Sequence, residues 1–410
     1  MKLARRPELA EDRLLAEEEF WSDWLERLPP ELVESLAEDQ SLLVAFLNWL
    51  VFDFELPEGQ DLTVAARLLR TRSSDLSGGE RTWIERMAGS SLRLVEVVEV
   101  RLDQGLSLVD MLSGERLEVS ERSATHQLGR WDVLAVRVVE GPAGRLVLEG
   151  HPYVFPRQAA VVARDEMVRR QKAFARRARG RALQGTFDKT LGLVLHHLWL
   201  ELVFAAPMPR VVTAEGDELR FTRLFFDVRD SERVRTTLGR HPDLDSDDDH
   251  FVWVERTTSM PRVLGSVSLK GARLILEVQS AERAARGRTM LEAALGDSVR
   301  YRLAEEQSLE QALADQQRRG PVREAPEIPL EIEQRVVGDF LERHYASWVD
   351  EPIPALGGRT PRHAARLKTV RPKVIELLKQ IENGLARERA AGRPAIDLAW
   401  LWAELGLTRE

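Results

Sequence analysis

The 410-residue chain contains no cysteine. Disulfides, thiolate catalysis, Cys-ligated zinc and iron–sulfur clusters are therefore excluded. A long hydrophobic run is also lacking. The most apolar stretch, Leu42–Phe54, is too short to span a bilayer and is interrupted by Asn48 and Asp53, so it reads as a buried helix. The N-terminal stretch carries two arginines followed by acids and holds no apolar export signal. A cytoplasmic protein without membrane contact is the expectation. Basic charge is not in excess: 59 Lys+Arg stand against 67 Asp+Glu, for a net charge of −8. That excludes a globally basic nucleic-acid coat protein and leaves room for a local basic patch. Catalytic fingerprints are missing too: there is no Walker loop, no Gly-x-Gly-x-x-Gly and no Gly-x-Ser-x-Gly elbow. No cofactor is expected, and the leaning is away from an enzyme.

What is present, 43% hydrophobic and 31% charged residues, suits folded domains with soluble surfaces. At about 100–200 residues per domain the length allows two to four of them. The fold class reads as α+β, in six segments. Residues 1–90 form a helical N-terminal region, with Ser41 as an N-cap and Ser77/Glu80 spaced as a capping box. Residues 91–155 hold short strands, at 92–101, 105–111, 115–121, 131–139 and 144–150, separated by turn residues. They suggest a small β-barrel of SH3-like or OB-like kind, with 92–101 alternating as a half-buried strand does. Residues 156–206 are a helical connector, and 207–303 an α+β sandwich with a hairpin at Lys270-Gly271. Residues 304–328 read as a helix plus linker bearing Pro321 and Pro326, and 329–410 as a helical module.

The most distinctive stretch runs from Trp348 to Pro361. Pro352 and Pro354 fix φ, Gly357 and Gly358 allow positive φ, and Thr360-Pro361 matches an N-cap followed by proline at the first helical position. The stretch resembles the toxin-binding domain at the C-terminus of one class of bacterial antitoxins. The match rests on Trp348, Leu356, Gly357, Gly358 and Pro361, and the longer loop includes Pro354. Those antitoxins are short and carry a helix-turn-helix domain, where this chain has a barrel and an α+β unit. The whole arrangement is more similar to large bacterial multi-domain proteins that often end in a zinc-chelating tail, which a chain without cysteine cannot have. The resemblance implies a protein-binding helical module, with a toxin-like enzyme as one class of partner. The plainer reading is a loop and helix pair that closes a small domain.

A second feature is the basic helix 157–189, with ten basic residues against three acidic ones. Arg169, Lys172, Arg176 and Arg179 fall along one face, joined by Arg164, Arg170 and Arg177. Such a stripe beside a small barrel suits phosphate contacts, so nucleic acid is the alternative partner. A solvated face, or pairing with Glu17–Glu19, is the competing account. Third, the acidic loop His241–His250 begins like a calcium loop, but Asp248 stands where the turn glycine belongs and Val254 where a bidentate Glu is needed. It reads as a solvated loop, with a metal-dependent enzyme on 207–303 as the remaining alternative and no metal site assigned. His196-His197 are adjacent rather than i, i+4, which fits a core or capping role.

Overall fold

The structure is a computed structural model that describes residues 10–56, 63–178, 184–206, 213, 216–247, 249–256, 262–308, 311 and 330–409. The chain forms two compact units. One joins Met1–Ala206 to Glu327–Glu410, and the other, Pro207–Pro326, is inserted between those two segments. The fold is mixed α+β, with a closed five-stranded barrel in the first unit and a six-stranded sheet in the second.

The first unit opens with helices α1 (Ala10–Trp21), α2 (Trp24–Arg27), α3 (Pro30–Glu38), α4 (Gln40–Phe52), α5 (Val64–Thr71) and α6 (Gly78–Ala88). α4 is the apolar run. Leu42, Ala45, Phe46, Trp49 and Leu50 recur at helical spacing and are buried. Its N-cap is Asp39 rather than Ser41. The Asp39 carboxylate accepts the Ser41 amide at 2.8 Å, and a carboxylate is the stronger acceptor at the positive end of a helix. α6 begins with the expected Ser77/Glu80 capping box. The free carbonyls past α4 and α6 are met by cations. Lys189 donates to the Phe52 carbonyl at 2.7 Å and Arg137 to the Met87 carbonyl at 3.2 Å. Asp53 lies between these cations and pairs with both, so donors, acceptors and charge are matched in a buried site.

Strands β1 (Leu92–Arg101), β2 (Gly105–Asp110), β3 (Arg116–Ser120), β4 (Val133–Glu140) and β5 (Leu146–Phe155) close in the order β1-β2-β3-β5-β4. Val95, Val97, Leu106, Leu108, Leu117, Val119, Leu134 and Val136 fill the interior. Gly105 is imposed by close approach, since a Cβ there would lie 2.1 Å from the Val119 carbonyl oxygen. β1 is not half-buried as its alternation suggests; its middle is covered on both faces. Leu94 joins Val133, Ala135, Tyr153 and Phe155 in a core shared with α1, α4 and two long helices, α7 (Arg157–Ala178) and α8 (Gln184–Trp199). Glu96, the polar residue two places on, is buried as well. It alternates as a solvent-facing residue would, yet its charge is met by Arg157 and by Lys379, the latter at 2.6 Å.

Lys379 belongs to the C-terminal module: α11 (Leu330–Trp348), α12 (Pro361–Arg366), α13 (Arg371–Ala390) and α14 (Ala399–Glu404). This module does not close on itself. Its core of Val349, Leu356, Ala364, Ala365, Val374, Leu378, Leu401 and Trp402 includes Trp131 from the barrel. Trp131 is 1% exposed, and its backbone has φ 70°, the left-handed region that a bulky residue rarely enters. The indole Nε1–H donates to Glu382 at 2.6 Å, and the ring stacks on Trp402 at 6.1 Å. Lys379 Nζ lies 4.4 Å from the ring centroid and the Arg130 guanidinium 4.5 Å. Beside it, Asp132 accepts from Asn383 at 2.7 Å and pairs with Arg387 at 2.9 Å.

In the second unit, β6 (Arg220–Val228), β7 (Leu244–Asp247), β8 (His250–Glu255), β9 (Arg262–Lys270), β10 (Arg273–Val278) and β11 (Val299–Ser308) form one antiparallel sheet in the order β11-β6-β10-β9-β8-β7. Helices α9 (Ser231–Leu238) and α10 (Ala281–Leu295) contribute Val234, Leu238, Ala284, Leu291 and Leu295 to its core. The hairpin at Lys270-Gly271 forms, with Gly271 at φ 60°. Two expectations are corrected here. Part of the acidic loop is strand β7, with Leu244 buried opposite Trp253. Residues 304–308, assigned to a linker, continue β11 along β6. Both are edge strands, where charged side chains are common because they oppose pairing with another chain; that composition reads as loop in a linear sequence. Most of 309–329, the remainder of the expected linker, lies outside the described residues.

Replacing Trp131 removes the ring that the C-terminal module packs around. Trp131→Ala is expected to lower the unfolding free energy by about 3–5 kcal/mol in chemical denaturation. A loss of less than about 1 kcal/mol would show that the module closes without it.

Candidate functional site

The stretch from Trp348 to Pro361 folds as a tight, internally bonded loop between α11 and α12. The Ile353 amide donates to the Arg359 carbonyl at 3.1 Å, and the Gly358 amide returns to the Ile353 carbonyl at 3.0 Å. Gly357 and Gly358 both adopt positive φ, 68° and 73°. At Gly357 a side chain would be strained and would also sit 2.9 Å from an Arg359 nitrogen. Thr360 caps α12 by accepting the His363 amide at 3.2 Å, with Pro361 at the first helical position. Arg362 ties the loop's start to the last helix, pairing with Asp350 at 2.8 Å and Glu404 at 2.6 Å. Hydrogen bonding from Arg362 holds the Asp350 carboxyl below its ordinary range.

All six residues assigned to partner binding are therefore together, but in two layers. Leu356 and Pro361 are buried and Trp348 is half-buried, so these three hold the loop from inside. Pro354, Gly357 and Gly358 are exposed, along with Ala355 and Arg359. The result is an outward turn whose backbone is fixed by its own anchors.

The basic stripe lies on α7. Arg164 pairs with Asp165 at 2.8 Å, and Glu166 takes both Arg169 and Arg170. Hydrogen bonding from Arg170, opposed by slight desolvation, keeps the Glu166 carboxyl low. Lys172 and Arg176 are exposed. The side chain of Arg177 and the whole of Arg179 lie outside the described residues. Glu17 pairs with Arg13 of its own helix. The first turns of the stripe are thus partly neutralised by acids on the same helix.

Two acids of 241–250 are also engaged. Asp245 pairs with Arg256, and Asp249 with Arg235 at 2.6 Å. Asp248 is outside the described residues. Among the described residues no group of three or more His, Asp or Glu could hold a metal ion, and no helix is long and apolar enough to cross a membrane.

His196 and His197 have the core and capping roles that their spacing suggests. The His197 Nε2–H donates to the Phe20 carbonyl near the end of α1, at 2.9 Å. His196 is 1% exposed, stacks on Phe20 at 3.8 Å and shares a 3.0 Å hydrogen bond with the Tyr153 hydroxyl.

Glu96, Trp131, Glu382 and Arg409, which join barrel to module, are not marked by any local signal. Glu382 binds Trp131 across 251 positions of sequence, and no short-range period carries that pairing. The chain matches no protein-family model, no curated protein and no solved structure.

Burial holds His196 well below the ordinary histidine range, and desolvation lowers the nearby His151 too. A folded-state pKa below the unfolded value of about 6.5 means that protonation favours the unfolded chain. Stability is then complete above about pH 6.5 and falls as pH drops, by up to about 1.4 kcal/mol per pH unit per group. His196→Gln is expected to flatten this slope between about pH 6.5 and 5.5 in denaturant titrations. A slope as steep as that of the parent would assign it to other groups.

Proposed function

We propose that this chain is a non-enzymatic interaction protein that binds a protein partner through the outward turn Pro354–Arg359 of its C-terminal module. A toxin-like enzyme is the partner class that the resemblance of Trp348–Pro361 names. The observation that carries this reading is the two-layer construction of the loop. Leu356, Pro361 and Trp348 anchor it, while Pro354, Gly357 and Gly358 are left exposed on a fixed backbone. Ordering a flexible loop costs affinity, and a turn already held in one conformation avoids most of that cost. A loop that only closed its domain would need the buried layer. It would not need two consecutive glycines in left-handed conformation on the outside, each raising the entropy lost on folding.

The α7 stripe supports nucleic-acid binding less well, because Arg164, Arg169 and Arg170 are already paired with acids on their own helix. Counter-ion release on phosphate binding is correspondingly smaller.

The test compares the full chain with Pro354→Arg and Gly358→Arg variants in quantitative affinity capture from cells of its own source. Each variant is expected to lose a protein that the parent retains, by tenfold or more, with a melting midpoint within about 4 °C of the parent. Capture of the same proteins in the same amounts by all three would count decisively against the reading.

A further inference from the structure

Among the described residues, helices cover only one face of the second unit's sheet. Inward side chains such as Leu224, Phe226, Leu274 and Leu276 share a core with α9 and α10. The alternate residues point the other way, and the strand register sets them in three rows across β11, β6 and β10. The first row is Arg300, Asp227 and Arg273. The second is Leu303, Phe225 and Ile275, and the third is Glu305, Arg223 and Glu277. Phe225, Ile275 and Glu277 are half-buried; the other six are exposed, Leu303 by 40%.

An apolar row thus runs between two charged rows of opposite pattern. One reads plus, minus, plus, and the other minus, plus, minus. Part of this charge is matched within the face. Arg223 pairs with Glu277 at 2.7 Å, and Asp227 with Arg302 at 3.4 Å. Arg273, Arg300 and Glu305 have no ion pair or hydrogen bond among the described residues. A polyanion would meet Asp227, Glu277 and Glu305 together with the arginines, so the alternation does not suit nucleic acid. It suits a surface that carries the reverse pattern, and this face carries both patterns itself.

We infer that this face packs on the same face of a second copy, about a twofold axis lying along the apolar row. Rotation about that axis seats the Leu303–Phe225–Ile275 row on its own copy and carries the first row over the partner's third. Each charge then meets its opposite. Arg300 lies over the partner's Glu305, Asp227 over the partner's Arg223, and Arg273 over the partner's Glu277, and symmetry repeats every contact. The other in-plane twofold, along β6, would set Arg300 on Arg273 and Glu305 on Glu277, like charge on like, so the pattern also rejects a wrong docking. Sheets stacked in this way lie about 10 Å apart, a gap that Arg and Glu side chains span from both sides. This goes beyond the protein-partner reading and does not depend on it, because it uses only β6, β10 and β11 of the inserted unit.

The test is sedimentation equilibrium of the full chain. Three rows make a small interface, so a dissociation constant on the order of 10 µM is expected. Leu303→Asp, Arg300→Glu and Glu305→Arg should each weaken association about tenfold or more. All three positions are exposed, so the fold should tolerate each change. The swap Arg300→Glu/Glu305→Arg should restore the dimer. An equimolar mixture of the two single charge variants should form heterodimers, because opposite charges then face each other at both symmetry-related contacts. Dimers lost in the single variants and regained in the swap and the mixture support the arrangement. A chain that stays monomeric up to about 100 µM overturns it and leaves the face to another occupant. So does a dimer that Leu303→Asp leaves intact, or a loss in the charge variants that neither swap nor mixture repairs.

Discussion

The first unit depends on a tryptophan held in a backbone conformation it would not choose. Trp131 sits at φ 70°, where a bulky side chain costs about 1–3 kcal/mol. Its backbone is fixed on both sides. The Trp131 amide donates to the Val97 carbonyl at 2.6 Å, the Val97 amide to the Asp132 carbonyl at 2.8 Å, and Arg157 donates to the Trp131 carbonyl at 3.1 Å. This left-handed turn lets one residue leave the barrel and enter a second core. The strain is offset by what the ring then meets: Trp402, Glu382, and the cations Lys379 and Arg130. Remove any of these and the conformation loses its reason.

The charges around it obey the same logic. Glu96, Asp132 and Glu382 are buried carboxylates on or against the barrel, and Arg157, Lys379, Arg387 and Arg409 reach them from helices or from the chain's last residues. Isolated, each would be expensive to desolvate; paired, they are a poor source of net stability but a strong source of specificity, because a wrong docking leaves a charge unmatched. Asp53 with Arg137 and Lys189 repeats the device where α4 and α6 end. Hydrophobic burial brings the elements together, and the buried ions decide their register.

Much of the architecture can be read from periodicity alone. The barrel strands, α4, the α6 capping box and the loop–helix boundary at Thr360-Pro361 all carry local signals, and each forms within a residue or two of where the pattern places it, except that β5, expected to end at residue 150, runs on to Phe155. The failures have a common physical origin. Asp39, not Ser41, caps α4 because acceptor strength is not a matter of pattern. β7 and β11 look like loop and linker because edge strands are kept polar. Glu96 looks solvent-facing because alternation cannot distinguish water from a buried cation. The loop 350–361 was legible as a rigid turn, yet its division into an anchoring and an exposed layer was not, since both layers use similar residues. The joining of barrel and module was invisible, because its partners lie far apart in the chain.

That distance also sets an order of events. The second unit is inserted between the two segments of the first, and Glu96 waits for Lys379, 283 residues later. At ribosomal rates of about 5–20 residues per second, the barrel, finished at Phe155, spends roughly 11–45 s before Lys379 is made. During that interval a large aromatic ring and buried-type carboxylates face water on an otherwise folded barrel. The inserted unit, whose contacts are local to its own sheet, can complete itself in the meantime. The Trp131 face is therefore completed only by residues made long after the barrel itself.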